Sequence, residues 1–138
     1  MNYLAEEIDS TLAEHALEHR KLGSEELNEM ISTLRNHFFD SGAKALDPVH
    51  LKNPEKVHDP DFWQKVDQLE DLHKPILIVT DNEVHAWELH STSDLKTLFS
   101  ETTGFPFWIT DINHGYIAYM DDHDCVHSLH RQAIQAAP

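Results

Sequence analysis

The sequence predicts an α+β protein: an N-terminal helical hairpin and a third helix packed on a largely antiparallel sheet of about five strands. Apolar residues recur every three to four positions near the N-terminus, as in amphipathic helices. From residue 76 onward, short β-branched and aromatic runs alternate with turn-forming residues. At 138 residues and 40% hydrophobic content, the chain fits one domain, 1–138, with a single core.

Two amphipathic helices are predicted in the first 42 residues. The apolar stripe of the first consists of Leu4, Ile8, Leu12 and Ala16, and that of the second consists of Leu27, Ile31, Leu34 and Phe38. Gly23 offers an end to the first helix, and Ser24 with two following acidic residues starts the second, where the helix dipole favours negative charge. Because very few residues separate them, we expect a helical hairpin.

Prolines interrupt the chain after the second helix. The X-Pro steps in this region are Asp47-Pro48, Asn53-Pro54 and Asp59-Pro60. Since the residue before a proline avoids helical geometry, we interpret residues 43–59 as a linker within the domain. A short third helix then starts at Pro60, which the first turn tolerates, and ends before Pro75.

The predicted sheet begins with residues 76–80, a continuous apolar run typical of a strand buried on both faces. We place this run at the centre of the sheet. Residues 84–89 follow the turn residues Asp81-Asn82 and complete a hairpin with it. A helix through residues 95–99, preceded by several capping residues, ends near Gly104.

The C-terminal part returns to β structure. The last three strands are predicted at residues 107–111, 116–120 and 125–129. Asn113-His114-Gly115 suits a hairpin turn with positive φ at its Asn and Gly, and Asp121 to Asp124 form an acidic turn. Residues 131–138 are predicted to be a frayed tail.

The chain is strongly acidic, with 25 acidic and 10 basic residues and a formal net charge of −15. The net charge is −6 for residues 1–40, +1 for 41–57, −7 for 58–101 and −3 for 102–138. Such a surface repels nucleic acid and anionic lipid and attracts basic proteins in a salt-sensitive way, although acidity alone also serves solubility. We therefore predict a cationic protein partner, with no direct nucleic-acid binding and no membrane binding.

Other classes of function lack their signatures. Four glycines supply neither a dinucleotide fingerprint nor a phosphate loop, and no HExxH pair occurs, so we predict no cofactor and no enzymatic activity. The residues around Glu6 and Glu7 are acidic where a secretion signal is cationic, and a lone cysteine, Cys125, suits a reducing compartment. These features predict a cytoplasmic protein.

Acidic residues near strand ends and on the third helix, together with one tyrosine, are the candidate partner contacts. The candidates are Asp67, Glu70, Asp71, Asp111, Tyr116, Asp121, Asp122 and Asp124. Aromatic residues ringed by acids would form a docking face for a cationic protein, because acids steer association and rings add affinity. Asp111, Asp121 and Asp122 are also expected at a common end of the strands, which would allow an acid/base pair.

A histidine-rich segment supports a different hypothesis. Residues 121–130 carry His123, His127 and His130 beside carboxylates and Cys125, which are side chains that bind transition metals. The enzyme alternative is therefore a histidine-dependent or metal-dependent hydrolase that uses this cluster. The structural explanation, in which the acids form a solvated turn and the histidines line the sheet, is favoured.

One stretch resembles a known class of proteins. Residues 95–111 (LKTLFSETTGFPFWITD) and 116–124 (YIAYMDDHD) are similar to small immunity proteins of bacterial polymorphic and contact-dependent growth inhibition toxin systems. The resemblance covers about the last third of the chain and implies a role, the neutralisation of one cognate toxin, without implying contact residues. Many such toxins are nucleases with cationic active sites, which agrees with an acidic inhibitor.

A second binding hypothesis is nucleic-acid mimicry, in which the protein inhibits a nuclease or DNA-binding protein by presenting carboxylates along an exposed helix. The residues proposed for this role are Glu6, Glu7, Glu14, Glu18, Asp67, Glu70 and Asp71. The immunity and mimicry hypotheses differ in the partner and in the surface that contacts it.

Overall fold

Strand pairing organises the protein around one seven-stranded antiparallel sheet. The computed structural model describes residues 3–40, 42–43, 45–69, 72–102 and 104–131. The strands are β1 (His19–Lys21), β2 (Glu55–His58), β3 (Pro75–Thr80), β4 (Val84–Leu89), β5 (Phe107–Asp111), β6 (Tyr116–Met120) and β7 (Cys125–His130). Their order across the sheet is β1-β4-β3-β5-β6-β7-β2. The predicted α+β class and antiparallel sheet are confirmed, but within the described residues the sheet has seven strands rather than about five.

Helices cover both faces of this sheet. The α-helices are α1 (Tyr3–Glu14), α2 (Ser24–Phe38) and α3 (Thr92–Ser100), and short 3-10 helices occupy Pro48–His50 and Phe62–Gln68. One core cluster joins α1, α3 and the Phe62–Gln68 helix to one sheet face, through buried Leu12, Leu77 and Trp87 among others. The other joins α2 to the opposite face, where Leu34 and Ile78 are fully buried. The protein therefore has three layers.

The predicted helical hairpin is the main error in the fold prediction. α1 ends at Glu14, and Ala16 takes a positive φ of 51°, which is incompatible with helix continuation. The chain then forms β1 at the sheet edge before α2 starts on the other face. The continuous apolar run of β3 explains this, because a strand that is apolar on both faces needs cover on both.

The proline-containing segment 43–59 is partly regular structure. β2 pairs with β7 in an antiparallel register, so this part of the predicted linker is an outer strand. Phe39 and Leu51, both buried, meet in an isolated β-bridge. The predicted tail 131–138 lies outside the described residues except for Arg131.

The remaining predicted elements are confirmed with small changes. β3 lies next to β5, which is the middle strand, and β3–β4 and β5–β6 are hairpins. The third helix is a 3-10 helix, and α3 is capped by the Ser91 hydroxyl, which accepts a hydrogen bond from the Asp94 N–H. In the 113–115 turn the positive φ falls on His114 rather than on Asn113 or Gly115. No helix in the described part of the chain is long and apolar enough to cross a membrane.

Candidate partner-binding pocket

A pocket of about 390 Å³ lies at the end of the sheet where β5 and β7 begin and β6 ends. Its described lining residues are Pro60, Trp63, Phe99, Ser100, Thr102, Gly104, Phe105, Pro106, Phe107, Met120, Asp121, Asp122 and Asp124. They come from the Phe62–Gln68 helix and its approach, the end of α3, the segment leading into β5, and the turn between β6 and β7. The pocket thus joins segments far apart in sequence, and we call it the acidic–aromatic pocket.

One side of the acidic–aromatic pocket is built from packed aromatic rings. The ring centroids of Phe99 and Phe107 lie 4.3 Å apart, and that of Phe105 lies 6.1 Å from each of them. Phe62 stacks on Phe107, with their ring centroids 6.3 Å apart. Phe99 and Phe107 are buried, whereas Trp63 and Phe105 are only half-buried and keep part of their surface accessible. Because each phenylalanine ring packs against another, this part of the pocket wall is preorganised.

The other side is the turn of residues 121–124, which the Asp121 carboxylate holds in place. Its Oδ1 accepts hydrogen bonds from the N–H groups of His123 and Cys125 at 2.9 and 3.0 Å. Its Oδ2 lies 2.9 Å from Nε2 of His127, whose side chain is 13% exposed. The Asp124 carbonyl also accepts a hydrogen bond from the Asp59 N–H, which ties the turn to the end of β2.

The protonation of Asp121 follows from these contacts. Burial alone raises the pKa of this carboxyl, but the hydrogen bond from His127 and those from the Cys125 and His123 backbone outweigh burial and lower the pKa to about 2. Asp121 is therefore ionised at neutral pH, and its charge is committed to the turn.

Asp122 and Asp124 are the accessible acids of the pocket. The Asp122 side chain is 74% exposed and lies 3.7 Å from the exposed ring of His123. The exposed Asp124 takes a positive φ of 63°, and its carboxylate forms no ion pair or side-chain hydrogen bond within the described part of the chain. None of the described lining residues is basic. The pocket therefore combines accessible aromatic surface with uncompensated negative charge.

Asp111 and Tyr116 lie at the other end of the sheet. In the antiparallel β5–β6 pair, Phe107 is opposite Met120, so Asp111 and Asp121 are at opposite ends, and the predicted carboxylate pair at a common end is wrong. Asp111 is 2% exposed and accepts hydrogen bonds from the N–H groups of His73 and Asn113. The chain direction in a hairpin explains the error: strands that follow each other end on opposite sides.

Tyr116 is also largely structural. It is 9% exposed and packs in the core, with its ring centroid 4.7 Å from that of His130 on β7. Burial raises the pKa of its phenol, which is therefore neutral at physiological pH. Neither Tyr116 nor Asp111 belongs to the described pocket lining.

The acids proposed for nucleic-acid mimicry do not form one array. Glu6, Glu7 and Glu14 lie on α1, but Glu18 follows the helix and lies 3.6 Å from His90. Asp67 is paired with Lys96 of α3 at 3.4 Å. Glu70 and Asp71 lie outside the described residues.

The histidines of the 121–130 segment are separated in space. His123 is 86% exposed, His127 bonds to Asp121, and His130 packs against Tyr116 on the opposite sheet face from His127. Within the described residues, no group of three or more His, Cys, Asp or Glu is placed to hold a metal ion.

The aromatic half of the pocket was only partly anticipated by the sequence. Trp63, Phe105 and Phe107 stand out as bulky residues, but their periodicity assigns them to the core rather than to a pocket. The Phe-Pro-Phe sequence at 105–107 is the available signal, because proline cannot donate to a sheet ladder, and the strand begins only after it, at Phe107.

Comparison with known proteins identifies no family for this chain. No protein-family model matches the chain, and no curated protein and no solved structure matches it significantly.

Proposed function

We propose that the protein is an immunity protein that binds a cationic toxin domain and neutralises it, with a nuclease as the expected toxin class. The observation that carries the proposal is the acidic–aromatic pocket in a chain of net charge −15. Concave aromatic surface with accessible carboxylates suits a basic protein surface, since interfaces draw affinity from buried aromatic groups and association rate from complementary charge.

The distribution of charge supports this proposal. The pocket lining comes from residues 60–107 and 120–124, inside the two segments whose net charges are −7 and −3. Several other acids are already paired, as Glu26 and Glu88 are with Arg20 and Asp9 is with Lys21. Asp122 and Asp124 thus offer charge that does not hold the turn in place, and a toxin that binds phosphate carries the matching sign.

The alternatives have less support. A nucleic-acid mimic needs carboxylates arrayed along one face, and the described acids of α1 and of the Phe62–Gln68 helix are divided between separate elements, with Asp67 in an ion pair. A metal-dependent hydrolase needs convergent ligands, and His123, His127 and His130 diverge. Binding without catalysis fits these placements best.

Co-expression tests the proposal. The protein is produced together with the C-terminal domain of the toxin encoded beside its gene, and we expect restored growth and a complex that co-purifies. The complex should weaken as salt rises, because charge complementarity is screened. Absence of both growth rescue and complex would refute the proposed function.

Charge-reversal variants locate the interface. Asp122→Lys combined with Asp124→Lys should abolish growth rescue, whereas Glu6→Lys combined with Glu14→Lys, which changes the net charge equally on exposed α1 positions, should retain it. Equal loss in both double variants would contradict the placement of the interface at the pocket.

A further inference from the structure

We infer that the acidic–aromatic pocket receives an arginine side chain from a basic segment of the partner protein. This inference rests on the proposed function for the identity of the partner, and it specifies the chemistry of the contact. The pocket volume of about 390 Å³ lies near the lower end of the range of roughly 300 to 1,000 Å³ that is typical of small-molecule sites. A pocket of this size accommodates one long side chain better than an extended surface.

The aromatic side of the pocket favours a flat cation. The half-buried rings of Trp63 and Phe105 line the pocket beside the buried Phe99–Phe107 pair. A guanidinium is planar and weakly hydrated, so it stacks on such rings and gains cation–π attraction, whereas a lysine ammonium is compact and strongly hydrated. The rings therefore discriminate between the two basic side chains.

The acidic side favours the same group. Asp122 and Asp124 lie on one short turn that the Asp121 carboxylate and the Asp59 N–H hold in place. A guanidinium presents several N–H donors in a fixed fork and forms paired hydrogen bonds with carboxylates, which a single ammonium cannot reproduce in the same geometry. Because the Asp121 charge already serves the turn, the two remaining carboxylates are the ones available to a ligand.

The surroundings favour a protein segment over a small free cation. The segments that line the pocket carry net charges of −7 and −3, so negative charge extends beyond the pocket itself. A peptide with basic residues on either side of the anchoring arginine gains from this wider field, whereas a small polyamine reaches only part of it.

Three matched peptides test the inference. The first is acetyl-Lys-Gly-Arg-Gly-Lys-amide, the second replaces arginine with lysine, and the third replaces it with citrulline, a neutral isostere. Binding is followed through the indole N–H resonance of Trp63, which the Trp63→Phe variant identifies. We expect the arginine peptide to bind about tenfold more tightly than the citrulline peptide, with the lysine peptide between them.

Variants show where the peptide binds. The double variant Asp122→Asn with Asp124→Asn should bind the arginine peptide about tenfold more weakly than the wild type. The double variant Glu6→Gln with Glu14→Gln removes the same charge from α1 and should change the affinity for this peptide by less than about twofold. Near-equal weakening by both pairs, or equal binding of the arginine and citrulline peptides, would overturn the inference. Tighter binding of spermidine than of the arginine peptide at the same resonance would also overturn it.

The peptide experiments and the co-expression experiment can give different results, so the arginine inference and the proposed function can fail independently. If the peptides bind as expected but the toxin is not neutralised, the pocket chemistry holds and the immunity role fails. If the toxin is neutralised but the peptides bind without preference, the immunity role holds and the arginine inference fails.

Discussion

Replacement of Asp121 by asparagine should destabilise the protein by an amount that depends on pH. The Asp121 carboxylate accepts hydrogen bonds from His127 and from the N–H groups of His123 and Cys125, and its pKa falls from 3.8 to about 2. At 1.36 kcal/mol per pKa unit, this difference corresponds to about 2 kcal/mol of folding free energy near neutral pH. The side chain is 19% exposed, so solvent screening removes little of it.

The sign of the pH dependence follows from the direction of the pKa change. A carboxyl whose pKa is lowered on folding stabilises the native state above its unfolded pKa, and this contribution is lost as pH falls through the folded pKa. The contribution of the Asp121 carboxyl itself should therefore be fully present above about pH 5 and should shrink progressively toward pH 2.

Urea unfolding at several pH values measures this contribution. Asp122→Asn is the matched control, because it removes the same charge from a 74% exposed side chain of the same turn and should shift stability by less than about 0.5 kcal/mol. The role assigned to the Asp121 carboxylate would be refuted if Asp121→Asn lowered the free energy of unfolding at pH 7 no more than the control does. It would also be refuted if the loss of unfolding free energy stayed the same down to pH 3.

Further predictions concern the helices and the tryptophans. Ser91→Ala removes the side-chain cap of α3 and should cost about 1 kcal/mol in urea unfolding, and a neutral result would contradict the capping bond at 3.1 Å. Leu34→Ala on the fully buried face of α2 should cost about 2–5 kcal/mol, whereas Val49→Ala, at an 80% exposed position, should cost little. Acrylamide should quench mainly Trp63, because Trp87 and Trp108 are 0% and 3% exposed, and Trp63→Phe should remove the quenchable fluorescence.

Hydrophobic periodicity predicted the elements whose side chains face a core. The sequence shows which side chains are buried in α1, α2, β3 and β5, because their apolar residues form stripes or continuous runs. The predicted positions of these elements were therefore confirmed to within a few residues. The sequence could not predict which face of the sheet each helix covers, because an apolar stripe shows only that a helix buries one side. Only the structure shows that α1 and α2 lie on opposite faces of the sheet.

The two outer strands carry no such pattern. β1 and β2 are exposed at every position, and their residues are mostly charged or histidine. Their place in the sheet comes from backbone hydrogen bonds to β4 and β7, which do not depend on side-chain type. Polar outer strands of this kind also limit pairing with other chains, which explains their composition.

Only the part of the candidate site that is formed by neighbouring residues in the sequence was predicted. Asp121, Asp122 and Asp124 are neighbours in sequence, so the acidic turn could be proposed directly. Their approach to Trp63 and Phe105 depends on strand order and on the packing of the Phe62–Gln68 helix against α3, which are long-range features. Grouping Asp111 with Asp121 failed because it ignored the alternating direction of antiparallel strands.

The placement of the outermost strands has a consequence for the order of events during synthesis. The five inner strands, β4, β3, β5, β6 and β7, all lie between residues 75 and 130, while both flanking strands lie before residue 59. Residues 3–58 are therefore synthesised before the five inner strands. β2 can pair with β7 only after the chain has been synthesised through residue 130, so this outer strand joins the sheet after the strands beside it have been made.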